Sequence, residues 1–177
     1  LEIIGPSAFS NSYLQKIFIP AHVKKIGKKA FEECENLIEV LFDTKSELRS
    51  IKKEVFANTK LNSITIPSQV KKIRSGTFYE CSISSITFAK NSELRIIEKD
   101  AFQYCKVKSL EIPSKVVDIN KYSFSSYSKL QEIIVSPNNP NFKMLDGLFI
   151  GKSYKFNDTD FDFLILATTK EKELIIP

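Results

Sequence analysis

The chain has 177 residues, yet it contains no Trp, one His, one Met, five Gly and three Cys. Each scarcity closes off some chemistry. With His22 as the lone imidazole, a nucleophile has at most one candidate His base, and no His cluster can hold a metal. Five Gly leave little for a phosphate-cradling loop. Three cysteines cannot make a complete internal disulfide framework. No apolar run approaches the ~20 residues of a membrane span. No basic-then-apolar start resembles a signal peptide, and because the first residue is Leu1 and not Met, the native N-terminus is expected to lie upstream. The formal charge of +5 is mildly basic, short of what by itself argues for nucleic acid.

What the chain has in quantity is Phe, 14 of them. Six close an I-x-x-x-[AVTS]-F phrase: Phe9, Phe31, Phe56, Phe78, Phe102 and Phe124. Their spacings run 22, 25, 22, 24 and 22 residues. The alternation means that a two-coil unit of 46 or 47 residues underlies the single coil. Its cause is visible: after strand phrases ending Ile-Pro (Pro20, Pro67, Pro113) three residues separate the last Ile from the next Val. After Phe42 and Phe88 five residues intervene, leading into Ser-Glu-Leu. Self-similarity at 20 to 29 residues is the signature of a leucine-rich solenoid.

Each coil also carries L-x-x-I-x-I, from Leu14, Leu37, Leu61, Ile83, Val107 and Leu130. Its second half alternates with period two, which predicts half-buried strands that stack coil on coil as a parallel sheet. The V-x-x-I phrase predicts a shorter extended piece. The G-x-x-A-F phrase predicts a turn through a short helical or 3-10 segment. One coil cannot bury its own apolar side, so the six Phe are expected in one buried line.

The combined phrase L-x-x-I-x-I-P-x-x-V-x-x-I-x-x-x-A-F-x-x-C resembles the BspA-like, Treponema pallidum-type leucine-rich repeat of bacterial and protist surface proteins. The resemblance covers residues 1–137, six times over. It implies a mainly β, right-handed solenoid with its parallel sheet on the concave side, a cell-surface or secreted location, and a role in adhesion or recognition. Its motifs specify the scaffold and name no ligand, cofactor or catalytic residue.

After Val135 the run S-P-N-N-P-N interrupts regular pairing, and Asp146-Gly147 reads as a tight turn. Residues 138–170 are therefore read as an inserted β-hairpin island, which the family commonly carries. Residues 171–177 read as the strand of a following, truncated repeat, so both ends cut through coils of a longer array.

Candidate chemistry is sparse. Cys34, Cys81 and Cys105 stand three residues after an anchor Phe, a slot that Ser12, Thr59 and Tyr127 fill elsewhere. Without C-x-x-C spacing or a partner base, the slot reads as small, buried and weakly polar. His22 shares its slot with Gln69 and Lys115, which marks a solvated loop. Asp158, Asp160 and Asp162 are spaced as in a calcium loop, but Phe163 replaces the turn glycine and Thr169 the bidentate Glu, so a half-buried strand is the better reading. Asn157-Asp158-Thr159 is the one glycosylation sequon.

Two surfaces could bind a partner. The outward positions of the strands read Lys16 and Phe18, Glu39 and Leu41, Ser63 and Thr65, Ser85 and Thr87, Ser109 and Glu111, then Glu132 and Ile134. Lys24, Arg49, Lys71 and Arg95 form a basic ladder on the V-x-x-I side, fit for an anionic ligand or simply solvated. Nucleic acid is disfavoured there, because no aromatics interleave. A non-enzymatic module binding an extracellular protein or glycan through the sheet face, an architectural spacer, and anionic-ligand binding by the flank all remain open. No residue type separates the first two.

Overall fold

A computed structural model describes residues 1–124, 130–145 and 147–152, and the backbone of strand 161–167. The calcium-spaced Asp158 and Asp160, the Asn157 sequon, Tyr127 and residues 171–177 lie outside the described residues.

The second halves of the L-x-x-I-x-I phrases form six strands: β2 (Lys16–Ile19), β4 (Glu39–Phe42), β6 (Ser63–Ile66), β8 (Ser85–Phe88), β10 (Ser109–Ile112) and β12 (Glu132–Val135). The V-x-x-I phrases form two-residue strands: β1 (Ile3–Ile4), β3 (Lys25–Ile26), β5 (Ser50–Ile51), β7 (Lys72–Ile73), β9 (Ile96–Ile97) and β11 (Asp118–Ile119). All pairs between coils are parallel. The alternation of each strand phrase sends Val40, Ile64, Ile86, Leu110 and Ile133 inward to full or nearly full burial. The result is a parallel β-solenoid of about six turns.

Down its interior the six anchor Phe stack ring on ring, with centroids 5.3, 5.7, 5.8, 5.9 and 5.8 Å apart and planes within 14° of parallel. Phe31, Phe56 and Phe78 are fully buried, while Phe9 at the end of the stack is only half-buried.

The Phe turns are not helical. Among the described residues there is no helix, and the residues two before and two after each of Phe9, Phe31, Phe56, Phe78 and Phe102 take left-handed backbone. Lys29 (φ 60°) and Glu33 (φ 58°) flank Phe31, and Glu54 (59°) and Asn58 (56°) flank Phe56. This alternation turns every second amide toward the next coil. Phe31 N donates to Val55 O at 3.0 Å, Phe56 N to Thr77 O at 3.0 Å, and Phe78 N to Ala101 O at 3.0 Å. Helical geometry would spend those amides within the coil. Left-handed backbone costs of order 1–2 kcal/mol for an ordinary residue, and the ladder it completes offsets that. Where Gly76 (φ 64°) fills the slot the cost vanishes.

The wide sheet departs from the expected single run of six strands. Strands β2 and β4, β6 and β8, and β10 and β12 each pair over four residues. Between β4 and β6 only Glu39 and Ser63 pair, and β10 begins a separate sheet from β8. The reason is in the chain. At closed junctions the residue after the strand donates back to the preceding coil: Asp43 to Ile19 O, Ala89 to Ile66 O and Ser136 to Ile112 O, at 2.9–3.1 Å. At the other junctions that residue is Pro67 or Pro113, which has no N–H to give. A three-residue link must also follow a five-residue one there, so the two backbones diverge. The solenoid is thus built of doublets, short-link coil closed onto long-link coil.

The Ser-Glu-Leu of the long links now has a function. The hydroxyls of Ser46 and Ser92 accept the amides of Leu48 and Leu94, two residues on. Asn139 stands in the same slot after β12. Its carboxamide oxygen accepts from Asn141 N and Phe142 N, and its nitrogen donates to Pro113 O and Val116 O. That clamp holds the start of an antiparallel sheet, β13 (Phe142–Leu145), β14 (Leu148–Lys152) and β15 (Phe161–Ala167), in that order. Phe142 and Phe149 pack 5.6 Å apart beneath it.

Candidate binding face

The outward side chains of the wide sheet are placed by its register. Phe18 pairs with Leu41 across β2 and β4, and both stand open to solvent, 56% and 52% exposed. One step earlier Lys16 and Glu39 form an ion pair at 2.8 Å. Farther along, Thr65 and Thr87 share a hydroxyl bond of 2.9 Å. Ser63 pairs in register with Ser85, and Ser109 donates to the Glu132 carboxylate at 2.9 Å. Glu111 and Ile134 are register partners at the far end, both exposed. The face therefore runs from an apolar pair through hydroxyls to acid.

One feature had no counterpart in the sequence reading. Where β4 and β6 part, a cleft of about 350 Å³ opens, bordered by Leu41, Thr44 and Ser46 on one coil and by Ser63, Thr65 and Pro67 on the other. The same junction is unbridged between β5 and β7, where instead Arg49 Nε reaches Gln69 Oε1 at 3.2 Å. The signal was the alternating link length together with Pro67, read only as period and not as hydrogen-bond supply. The cleft adjoins Leu41, so one member of the apolar pair and the hydroxyls meet at its edge.

The basic flank is partly engaged. Lys24 holds Glu2 at 2.7 Å, and that contact keeps the Glu2 carboxyl below its usual range. Arg49 is tied to Gln69, and Arg95 lies 4.0 Å from Glu93. Glu93 also binds Lys115, which lowers its carboxyl as well. Lys71 is exposed. The four cations lie on successive coils, but with acids and amides interleaved. His22 is solvent-exposed beside Glu47, 3.2 Å away.

Cys34, Cys81 and Cys105 are buried free thiols. The column they share with Ser12 and Thr59 is hydrogen-bonded internally: Thr59 Oγ1 lies 3.1 Å from Cys81 Sγ, Cys105 donates to Phe102 O at 2.8 Å and Cys34 to Phe9 O at 2.9 Å. Burial pushes the Cys81 thiol up to about 11 and raises Cys105 too, the reverse of an activated thiolate. Among the described residues no group of acids, Cys and His converges to hold a metal ion, and no helix is long and apolar enough to cross a membrane.

Comparisons with known proteins agree with this geometry. A profile of the BspA type leucine rich repeat region, in six copies, matches residues 1–76 and 49–156. The pneumococcal vaccine antigen PcpA is similar in structure, with a TM-score of 0.75 and 25% identity, over 85% of this chain and 40% of that one. A leucine rich cell surface protein of Faecalibacterium prausnitzii gives 0.63 and 24%, over 87% of this chain and 47% of that one. A leucine-rich repeat protein of Eubacterium ventriosum gives 0.54 and 22%, over 85% and 33%. The chain thus spans less than half the length of these solved relatives. No curated protein sequence matches it. With the profile covering most of the chain, six Phe-anchored coils in register and this fold in common, the chain belongs to the BspA-type leucine-rich repeat family.

Proposed function

We propose that this protein is a non-enzymatic recognition module at the cell surface, capturing a protein or glycan through the outer face of its wide sheet. The observation that carries the reading is the Phe18–Leu41 pair, two large apolar side chains exposed in register, of which Leu41 borders the β4/β6 cleft. Inward neighbours on the same strands do the packing, so the pair has no structural role, and a small apolar patch rimmed by hydroxyls is a usual docking anchor. An extended protein segment suits the cleft: its side chains meet Leu41 and Phe18 while Thr44, Ser63 and Thr65 supply hydrogen bonds. The surface location is that of the relative described as a cell surface protein.

The test is binding to a panel of extracellular-matrix proteins and arrayed glycans, repeated with Phe18→Ser combined with Leu41→Ser. The double change should leave the fold intact and weaken capture by ~1–3 kcal/mol. Undiminished capture by the folded variant refutes the assignment. No capture of any probe by the wild-type chain leaves the architectural spacer as the better account.

A further inference from the structure

Apart from the sheet face and the Lys24–Arg95 flank, one other surface combines a hollow with a single sign of charge. In the slot just after each V-x-x-I phrase, successive coils carry Gly27, Lys52 and Arg74. Gly27 cannot be larger: a Cβ there would lie 2.4 Å from Pro6 N and 2.5 Å from Gly5 C, where the neighbouring coil presses in. Beside this close approach lies a hollow of about 400 Å³, bordered by Pro6 and Gly27 and ringed by Lys25, Lys28, Lys52, Lys53 and Arg74.

The charges facing it do not cancel. Glu54 lies 3.7 Å from Lys28, and Glu98 pairs with Arg74 at 3.0 Å. Lys25, Lys52 and Lys53 form no ion pair within 4.0 Å among the described residues. Holding three unpaired lysines beside two paired cations around one hollow costs self-repulsion that an anion would relieve.

We infer that this hollow is a docking site for a sulfated glycan, with one sulfate seated over Gly27 and its neighbours running along the coil axis. The chemistry of the rim selects that occupant. Pro6 is the only apolar side chain on it, so a lipid surface or apolar peptide gains little. No aromatic borders it, so single-stranded nucleic acid finds no stacking platform. The cations span three coils, roughly 10 Å at ordinary strand spacing, which suits sulfates repeated along a sugar chain. The inference is independent of the sheet-face reading, because none of its residues lies on that face.

The experiment measures binding of a heparin oligosaccharide, its fully desulfated form and poly-glutamate to the protein. It is repeated with Lys52→Ser plus Lys53→Ser, and with a charge-matched control, Lys45→Ser plus Lys90→Ser, at exposed positions remote from the hollow. Removing two lysines from an anion site should weaken heparin binding at least about tenfold. The control should stay within about twofold of wild type, as expected for screened distant charges. Desulfated oligosaccharide should bind far more weakly than the sulfated form, and F18S/L41S should leave sulfated binding unchanged. Equal loss in both lysine variants, no loss at Lys52 and Lys53, equal affinity for poly-glutamate, or no heparin binding at all overturns the site.

Discussion

Asp43 donates its amide to the carbonyl of Ile19 at 3.1 Å, tying a long-link coil to the short-link coil before it. One coil on, Pro67 fills the slot of Asp43 with nothing to donate, and the sheet opens. Pro67→Ala restores the donor. It should add one hydrogen bond, about 0.5–1.5 kcal/mol, and remove a restraint on the unfolded chain worth about 0.4–1 kcal/mol. The unfolding midpoint should therefore move little. The decisive readout is hydrogen exchange: the new amide at position 67 should be protected like that of Ala89. Fast exchange there means the cleft has another cause.

Phe78 stacks on Phe56 and Phe102 at 5.8 and 5.9 Å and is wholly buried. Phe78→Ala leaves a cavity with neighbours on both sides and should cost ~3–5 kcal/mol in denaturant unfolding. Phe9→Ala, at the half-buried end of the stack, should cost less than half as much. Equal losses at the two sites would show that the stack does not share its burial as described.

Burial holds the Cys81 thiol at about 11 against an ordinary 9.0. Between pH 9 and 11 the unfolded chain gives up this proton and the folded chain keeps it, so stability falls as pH rises through that window and is fully present below it. Cys81→Ser, the residue type already found in this slot as Ser12, should remove the slope. Relative to the variant, the wild type should lose roughly 2–3 kcal/mol from pH 9 to 11. Native thiols should also react with Ellman's reagent only slowly at neutral pH, becoming fully reactive in denaturant. Parallel pH profiles for the two proteins, or prompt labelling, would contradict the burial.

Asn139 makes four hydrogen bonds from a buried position. Asn139→Ala takes the acceptor from the amides of Asn141 and Phe142 and one of two donors from each of Pro113 O and Val116 O, and should cost about 1–3 kcal/mol. Amide exchange at Phe142 should quicken first, because its bond to the Asn139 oxygen is lost. Asn139→Ser, matching Ser46 and Ser92, should recover part of the loss. An unchanged melt and exchange rate at Asn139→Ala would show the clamp to be dispensable.

Much of this was legible in the chain because the repeat writes it several times. Six Phe at near-constant spacing and period-two alternation after each Leu leave one inward set, and the structure buries it. The Phe turns were misread as helical for a local reason. K-K-A-F-E-E has good helix formers, but Lys29 and Glu33 turn left-handed so that Phe31 N can reach Val55 O in the next coil. The doublets were also present in the sequence, in Pro67 and the link lengths, yet their effect depends on which amides are missing across a junction. Asn139 was hidden because a turn-rich run signals only interruption. Outward residues such as Phe18 and Leu41 can be located by parity. What they bind leaves no periodic trace.

The doublet construction has a mechanical consequence. Hydrogen bonds of the Phe turns lie along the coil axis at the junctions from Phe9 through Phe124, whereas the wide sheet is fully tied only at alternate ones. Tension along the axis is therefore borne unevenly and gathers where β4 faces β6 and β8 faces β10. A rod built this way yields in steps of two coils, 46 or 47 residues, rather than one. Each step releases roughly 160 Å of contour, a length that pulling on a single molecule resolves.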